Sequence, residues 1–505
     1  MIGNFAHLSN WLAANRRNFQ RLRHYWSAPP LQRPNIAQLA KQSDQLPAFV
    51  RDCAVAQKYL HLLAPLDWDN FPQRDPQRAW PGSTPLSRAP FVAAYLVKLN
   101  EQHRYMSDLR RYLLEHPALV WLLGFDLQPC PESCWGFDVP RSLPDTRLFL
   151  TVLRTLDNAV IQFLLDSTVH TIRQELPDPL EFGKIIALDT KHIIAWVKEN
   201  NPKTFIKKGR YDKTCQPIAD RDCKLGVKKR SNQKKAAPLP ASIPTPTRQA
   251  QPARHHAVTQ LFWGYGSGIV TTKVAGWGEF VLAELTLTFN RPDLAYFFPL
   301  MEATERRLGF RPKFAALDAA FDTFYVYDFF DQVGGFAAVP FAKRGSPVPR
   351  KFDPDGLPLC QANLPMPLKG TYTNRRGLFP AQYARYACPL LFPEPNGQTC
   401  PIDHKRWPKG GCIFTQANSL GARIRHQLDR DSEAFKQVYN HRTAAERINA
   451  LAVNLGIERP KFRNQASIAN MNSLIYVLLN LRAIARIRRL KQRSLTASAN
   501  RSESQ

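Results

Sequence analysis

To about residue 180 the apolar positions recur at helical spacing, and no run reads as a strand. Pro140 and Pro144 punctuate this stretch, and from Thr146 the pattern predicts an amphipathic helix leading into a second one. The period then changes. Short apolar runs at 185–188 and 314–317 end in Asp189 and Asp318 and read as buried strands. Further strands are predicted at 261–266, 280–289 and 336–341, with helices over 293–308 and 324–333. A late helix places Tyr439, Arg442 and Glu446 on one face, since these positions and 449 and 453 lie one or two turns apart. Another long helix covers about 467–489, and from Ser494 onward the Ser, Ala and Asn content predicts disorder.

This order of elements predicts an α/β (α+β) fold, a mixed sheet flanked by helices and preceded by an all-α region. The helical N-terminal region spans 1–180, and 181–344 hold the first part of the sheet domain, with a basic, Pro-rich loop at 200–258. The distance from Asp318 to Glu446 exceeds what one helix and one strand need, so a subdomain is inserted at 345–422. Residues 423–463 return to the sheet domain with the helix of Glu446, and 464–505 form the last helix and tail.

Charge narrows the partners. The 505 residues carry a net charge of +28, from 69 Lys and Arg against 41 Asp and Glu, which predicts a polyanionic partner bound in a salt-dependent way. Charge by itself does not separate DNA from RNA or an anionic membrane surface. The excess is densest at 203–235, where 12 Lys and Arg, among them Lys207, Lys208, Lys228, Lys229 and Arg230, meet only Asp212, Asp220 and Asp222. That segment reads as a loop tracking phosphates or as a solvated basic loop. Pro238, Pro240, Pro244, Pro246 and Pro252 then mark an extended linker. The most apolar run, near 475–481, is broken by Asn480 and followed by Arg482, so no membrane span is expected. With no secretory pattern at the start, the protein is expected in the cytoplasm, associated with the nucleoid, and its nine cysteines mostly reduced.

An acid at the end of a buried strand is held rigidly at a sheet edge, where it can meet another acid and share a divalent ion. Three such carboxylates can hold two Mg²⁺ about 4 Å apart, one activating the attacking oxygen and one stabilising the leaving oxygen. Taken singly, each strand-end Asp reads as a turn or cap, and a Tyr/Arg/Glu face as a salt-bridged surface. Their joint occurrence in this order, in a basic chain, favours phosphate chemistry.

Here the chain resembles the DDE transposases of bacterial insertion sequences, specifically the cut-and-paste group with a Tyr-x2-Arg-x3-Glu-x6-Lys signature. Tyr439, Arg442 and Glu446 match it, while Val453 stands at the Lys position, with Lys461 and Arg463 as nearby cations. The resemblance covers about 140–480. It implies a ribonuclease-H-like sheet interrupted by a β-rich insertion, with Asp189, Asp318 and Glu446 as catalytic acids holding two Mg²⁺, Mn²⁺ standing in. It further implies double-stranded DNA, both element ends and target, as partner and substrate of strand cleavage and transfer, a homodimer in the DNA complex, and end recognition by the N-terminal region. Tyr439, Arg442 and Arg447 with the five loop cations are then the phosphate-binding set. The alternatives are a metal-dependent nuclease of the same fold and a transposase-derived DNA-binding protein without catalysis.

Cys388, Cys400, His404 and Cys412 form a possible tetrahedral zinc set, a reading second to packed, reduced thiols because the spacing lacks a close cysteine pair. In related transposases the insertion shelters a flipped base, and Tyr372, Tyr383, Tyr386 and Trp407 are the aromatics available for stacking. Asp220 and Asp222 read as a surface turn, Asp322 as a helix cap, and 35–53 as a weak helix-turn-helix candidate.

Overall fold

The computed structural model describes residues 34–73, 86–177, 181–201, 214, 216–230, 258–342, 348–377, 379–402 and 406–502. The chain forms two compact units that divide at Thr168 and Val169. The first unit is helical, as its spacing predicts, except for a short antiparallel strand pair, Gln128–Pro129 with Phe137–Asp138, that departs from the all-α expectation. Its helix Ala89–Asn100 is apolar around its whole circumference and is buried from Pro90 to Leu99. Tyr95 donates to the Phe149 carbonyl at 2.6 Å, so a fully buried hydroxyl is satisfied. The expected helix pair is Thr146–Thr155 and Asn158–Glu175. The candidate at 35–53 is three short pieces, Ile36–Lys41, Ser43–Gln45 and Ala48–Arg51, which do not make a helix-turn-helix. The unit boundary falls twelve residues before the expected one because the last turns of Asn158–Glu175 belong to the second unit. There Arg173 donates to the Leu308 carbonyl, and Glu175 pairs with Arg488 and Lys491.

The second unit is a mixed α/β structure. Its sheet strands are β1 (Ile185–Ile194), β2 (Lys224–Arg230), β3 (Val258–Val274), β4 (Gly278–Thr288), β5 (Phe314–Ala316) and β6 (Phe336–Ala338). β4, β3 and β1 run antiparallel in that order, and β1, β5 and β6 are parallel. β2 pairs antiparallel with the first half of β3. That corrects the expectation of a loop throughout 200–258: Leu225 is buried, and Gly226 leaves room for the Phe289 ring, which would stand 2.2 Å from a Cβ there.

Helices cover both faces. α1 (Leu294–Leu308) sits close on β3 because Gly266 and Gly268 leave room for Tyr296, whose ring and hydroxyl would stand 2.4 Å from a Cβ at either position. On the other face, reached by Ser267 between those glycines, lies α6 (Gln465–Ser502). There buried Glu284 accepts from Ser267, Thr286 and Ser473, and Asn480 exchanges both amide bonds with Val281 beside an irregularity in β4. α6 is long and apolar enough over Gln465–Ser494 to pass for a membrane span, but most of that stretch is buried within the unit. It also continues to Ser502, where the composition predicts disorder.

Between β6 and α3 (Leu420–Gln427), a three-stranded antiparallel sheet is inserted, β7 (Leu368–Asn374), β8 (Ala381–Ala387) and β9 (Ile413–Ala417). α2 (Phe324–Asp331) packs on α3, where Gly421 lies against the Phe324 carbonyl and donates its amide to Asp328 at 2.6 Å. Asp322 is fully buried and is no helix cap; it accepts from Arg425, Tyr327 and the Ala342 amide, each at 2.7 Å. The chain then runs through α4 (Glu433–Tyr439) and α5 (Arg442–Asn454).

Candidate active site

β1 and β5 are in parallel register from Ile185 opposite Phe314 to Ala187 opposite Ala316. Two positions further on, that register sets Asp189 level with Asp318. Successive strand side chains alternate, so the acids share the face of Ala187 and Ala316. α5 is lowered onto that face by a contact of three alanines, Ala187, Ala316 and Ala445, all buried. No side chain beyond Cβ separates helix from sheet there; the next residue, Glu446, pairs with Arg442 and its side chain stays exposed.

α5 supplies more than Glu446. Three residues later Asn449 donates Nδ2 to Asp189 Oδ2 at 2.9 Å. Arg442 opens the helix; its Nη1 donates to the Tyr439 hydroxyl at 3.1 Å, and its Nη2 lies 3.5 Å from Glu446 Oε1. Tyr439 and Arg442 are not on one continuous helix. α4 ends at Tyr439, and the turn through Asn440 and His441 keeps near-helical dihedrals, so the expected contacts survive the break.

Burial is the main reason the Asp189 carboxyl is pushed up to about 6; the Thr190 amide and Arg442 oppose the shift, the charge of Asp318 adds to it, and the Asn449 bond opposes it. Arg442 is held above its ordinary value by Tyr439, Asp189 and Glu446, against the effect of burial. Two buried polar atoms here lack hydrogen-bond partners, Asn449 Oδ1 and Arg442 Nε. An acceptor and a cationic donor left open beside two facing carboxylates suit a site that binds a charged ligand. Asp318 also caps its own turn, Oδ1 accepting from the Ala320 amide at 2.8 Å.

A fourth acid lies nearby. Asp293 starts α1 without capping it; its Oδ1 accepts from the Thr190 hydroxyl at 2.8 Å. Burial raises its pKa and the charge of Asp318 raises it further. Sequence reasoning missed Asp293 because an acid before a helix reads as a cap. Asn449 had a signal, its place on the Glu446 face, but an amide is not among the residues sought as ligands.

The other predicted residues separate. Arg447 pairs with Glu279 on β4 at 2.6 Å and does not join the Arg442 cluster. Lys228, Lys229 and Arg230 belong to β2 by backbone. Lys207, Lys208 and His404 lie outside the described residues. Lys461 and Arg463 stack on the exposed ring of Trp196, at 5.2 and 4.6 Å from its centroid, and do not replace the signature lysine. Asp220 is buried and accepts from the Tyr265 hydroxyl at 2.7 Å, so it belongs to the sheet interior and not to a surface turn. Cys388 and Cys412 are neighbours in the insertion. Among the described residues no three acidic, histidine or cysteine side chains stand, as placed, close enough to hold a metal ion.

Compared with protein-family profiles, with curated proteins and with solved structures, the chain matches none.

Proposed function

We propose that this protein is a DDE transposase that cuts DNA at the ends of an insertion sequence and joins the freed strand to a target. The observation that carries the reading is the convergence on one sheet face of Asp189, Asp318 and the helix of Glu446, with Arg442 reaching the acids. Strand order supports a ribonuclease-H-like class: three antiparallel strands, then two parallel strands added beside the first, with acids on the first and fourth. Net charge of +28 supports a polyanionic substrate.

The donor set fits divalent ions. Facing carboxylates repel, and a cation between them removes the repulsion from Asp318 that adds to the raised pKa of Asp189. Asp189, Asp318 and Glu446 would hold Mg²⁺ or Mn²⁺, which when bound lowers the pKa of water and neutralises phosphate charge. Asn449 orients Asp189, while Arg442, steadied by Tyr439, meets the phosphate beside the cut. Water adds to phosphorus and the 3′ oxygen leaves with a proton; the freed 3′-OH then attacks a phosphodiester of the second strand, losing its proton as that strand's own 3′ oxygen is displaced and takes one up. Tyr372 stacks on Tyr383 at 5.8 Å in the insertion and stays exposed, which suits base stacking, whereas Tyr386 is buried.

The test is to incubate the protein with a plasmid carrying its own flanking DNA, with and without Mg²⁺, and to map breaks to the nucleotide. Metal-dependent cuts at the ends with strand transfer are expected. Asp189→Ala, Asp318→Ala and Glu446→Ala are each expected to abolish cutting and leave DNA binding within a few-fold. Binding without any cut in either metal would refute the reading.

A further inference from the structure

We propose that Cys360, Cys388, Cys400 and Cys412 hold a structural Zn²⁺ that staples the inserted sheet. The four cysteines come from separate segments yet line one cavity of about 320 Å³, together with Arg350 and Arg406. Cys388 follows the end of β8, and Cys412 immediately precedes β9. Cys360 was not in the set suggested by spacing; 28 positions separate it from Cys388, and only the fold brings it in.

Two local features hold the sulfurs together. Gly410 and Gly411 have φ of +88° and +79°, and a Cβ at Gly411 would stand 2.6 Å from Cys388 Cβ. Only glycine tolerates both the dihedral and the crowding, and the turn folds Cys412 back to hydrogen-bond with Cys388, with Cys360 also near. Cys360 and Cys388 each open a turn closed by the amide three residues on, Asn363 at 3.1 Å and Leu391 at 3.2 Å. Turns of this kind present backbone N–H groups to an anion and recur at metal-bound thiolates.

The electrostatics point the same way. Arg350 is half-buried and stacks on Phe414 at 4.5 Å, and no carboxylate pairs with it among the described residues. Its Nη1 donates to the Leu359 carbonyl at 3.0 Å, and the ionisable groups beside it are the Cys412 and Cys360 thiols and the His426 imidazole. A guanidinium withdrawn from water needs a counter-charge, and neutral thiols supply none. A tetrathiolate zinc centre is a net dianion, matched by Arg350 and Arg406. The apolar cluster of the insertion is also small, with Met366, Ala384 and Tyr386 beside Cys360 as its buried members. Modules with so little core gain much of their stability from a metal. As placed, the four thiols line the cavity without three of them standing close enough to share an ion, so they would have to draw in across it, Cys400 from a stretch without helix or strand.

The test is the zinc content of the full-length protein, expressed in zinc-supplemented medium, freed of loosely bound metal and measured by plasma mass spectrometry. About one zinc per chain is expected, falling roughly tenfold in Cys360→Ser and Cys412→Ser and unchanged in Cys130→Ser/Cys134→Ser. Because removing either thiol can by itself unfold the insertion, the unsubstituted protein is also exchanged with Co²⁺. An intense thiolate-to-cobalt charge-transfer band with tetrahedral visible bands supports the site. Folded protein with under about a tenth of a zinc per chain, zinc content indifferent to Cys360 and Cys412, or a Cys388–Cys412 disulfide would each overturn it.

Discussion

Asn449 holds Asp189 through a 2.9 Å hydrogen bond across 260 positions of sequence. The same helix carries Glu446, so one element presents the third acid and orients the first. An amide at this place donates to the carboxylate without adding charge, and its own oxygen is buried without a hydrogen-bond partner.

Asn449→Ala is therefore expected to lower cleavage by about 10- to 100-fold, the usual effect of losing a group that orients a metal ligand. The loss should be partly recovered at raised Mg²⁺, because the three acids remain. Single-turnover cutting measured against Mg²⁺ concentration checks this, and an unchanged metal dependence would remove Asn449 from the site.

The raised pKa of Asp189 gives a pH dependence of stability opposite to that of a salt-bridged acid. Its carboxyl titrates at about 6 when folded and near 3.8 when unfolded, chiefly through burial. Between those values the folded chain holds a proton that the unfolded chain has lost, so this contribution falls as pH rises and stays lost above the folded value. In chelator, Asp189→Asn is expected to be more stable than the unsubstituted protein at neutral pH, by roughly 2 kcal/mol, with the gap closing toward pH 4. Denaturant unfolding of both proteins across that range is the measurement; parallel curves would contradict it.

Ala445→Leu tests the close approach of α5. Ala187, Ala316 and Ala445 are each at most 1% exposed, so three further carbons have nowhere to go. Overpacking should cost about 1–3 kcal/mol and push the helix of Glu446 away from the face that carries the acids. The expected outcome is a folded protein with lower Tm that binds DNA and cuts it at least about tenfold more slowly; normal cutting would show that the helix has slack.

Asp322→Ala removes the buried partner of Arg425, leaving a guanidinium mostly withdrawn from water. A loss of about 3–5 kcal/mol is expected. Thermal unfolding measures it, and a change under about 1 kcal/mol would mean that Arg425 finds water or another carbonyl.

Much of this was legible in the chain. The runs before Asp189 and Asp318 became β1 and β5, and the helices predicted over 293–308 and 324–333 formed nearly as bounded. Such features repeat within a few residues, and short-range periodicity records them. β2 was hidden because its lysines read as a charged loop, and Asp322 because a buried acid beside a helix start has the local sequence of a cap.

By itself, then, the sequence determined the helical first region, the apolar runs leading into Asp189 and Asp318, the i,i+4 pairing of Arg442 with Glu446 and the positive charge, though β1 runs on past Asp189 to Ile194 instead of ending there. Tertiary structure alone decided that Asn449 meets Asp189, that Asp293 turns to Thr190, that Arg447 goes to Glu279, and that Cys360 joins Cys388 and Cys412. The reason is physical. Backbone hydrogen bonding and side-chain alternation act over one turn or one strand and leave a repeating mark. A contact between side chains tens or hundreds of positions apart depends on sheet register and on how closely a helix can approach, which here was set by alanines and glycines that carry no chemistry of their own.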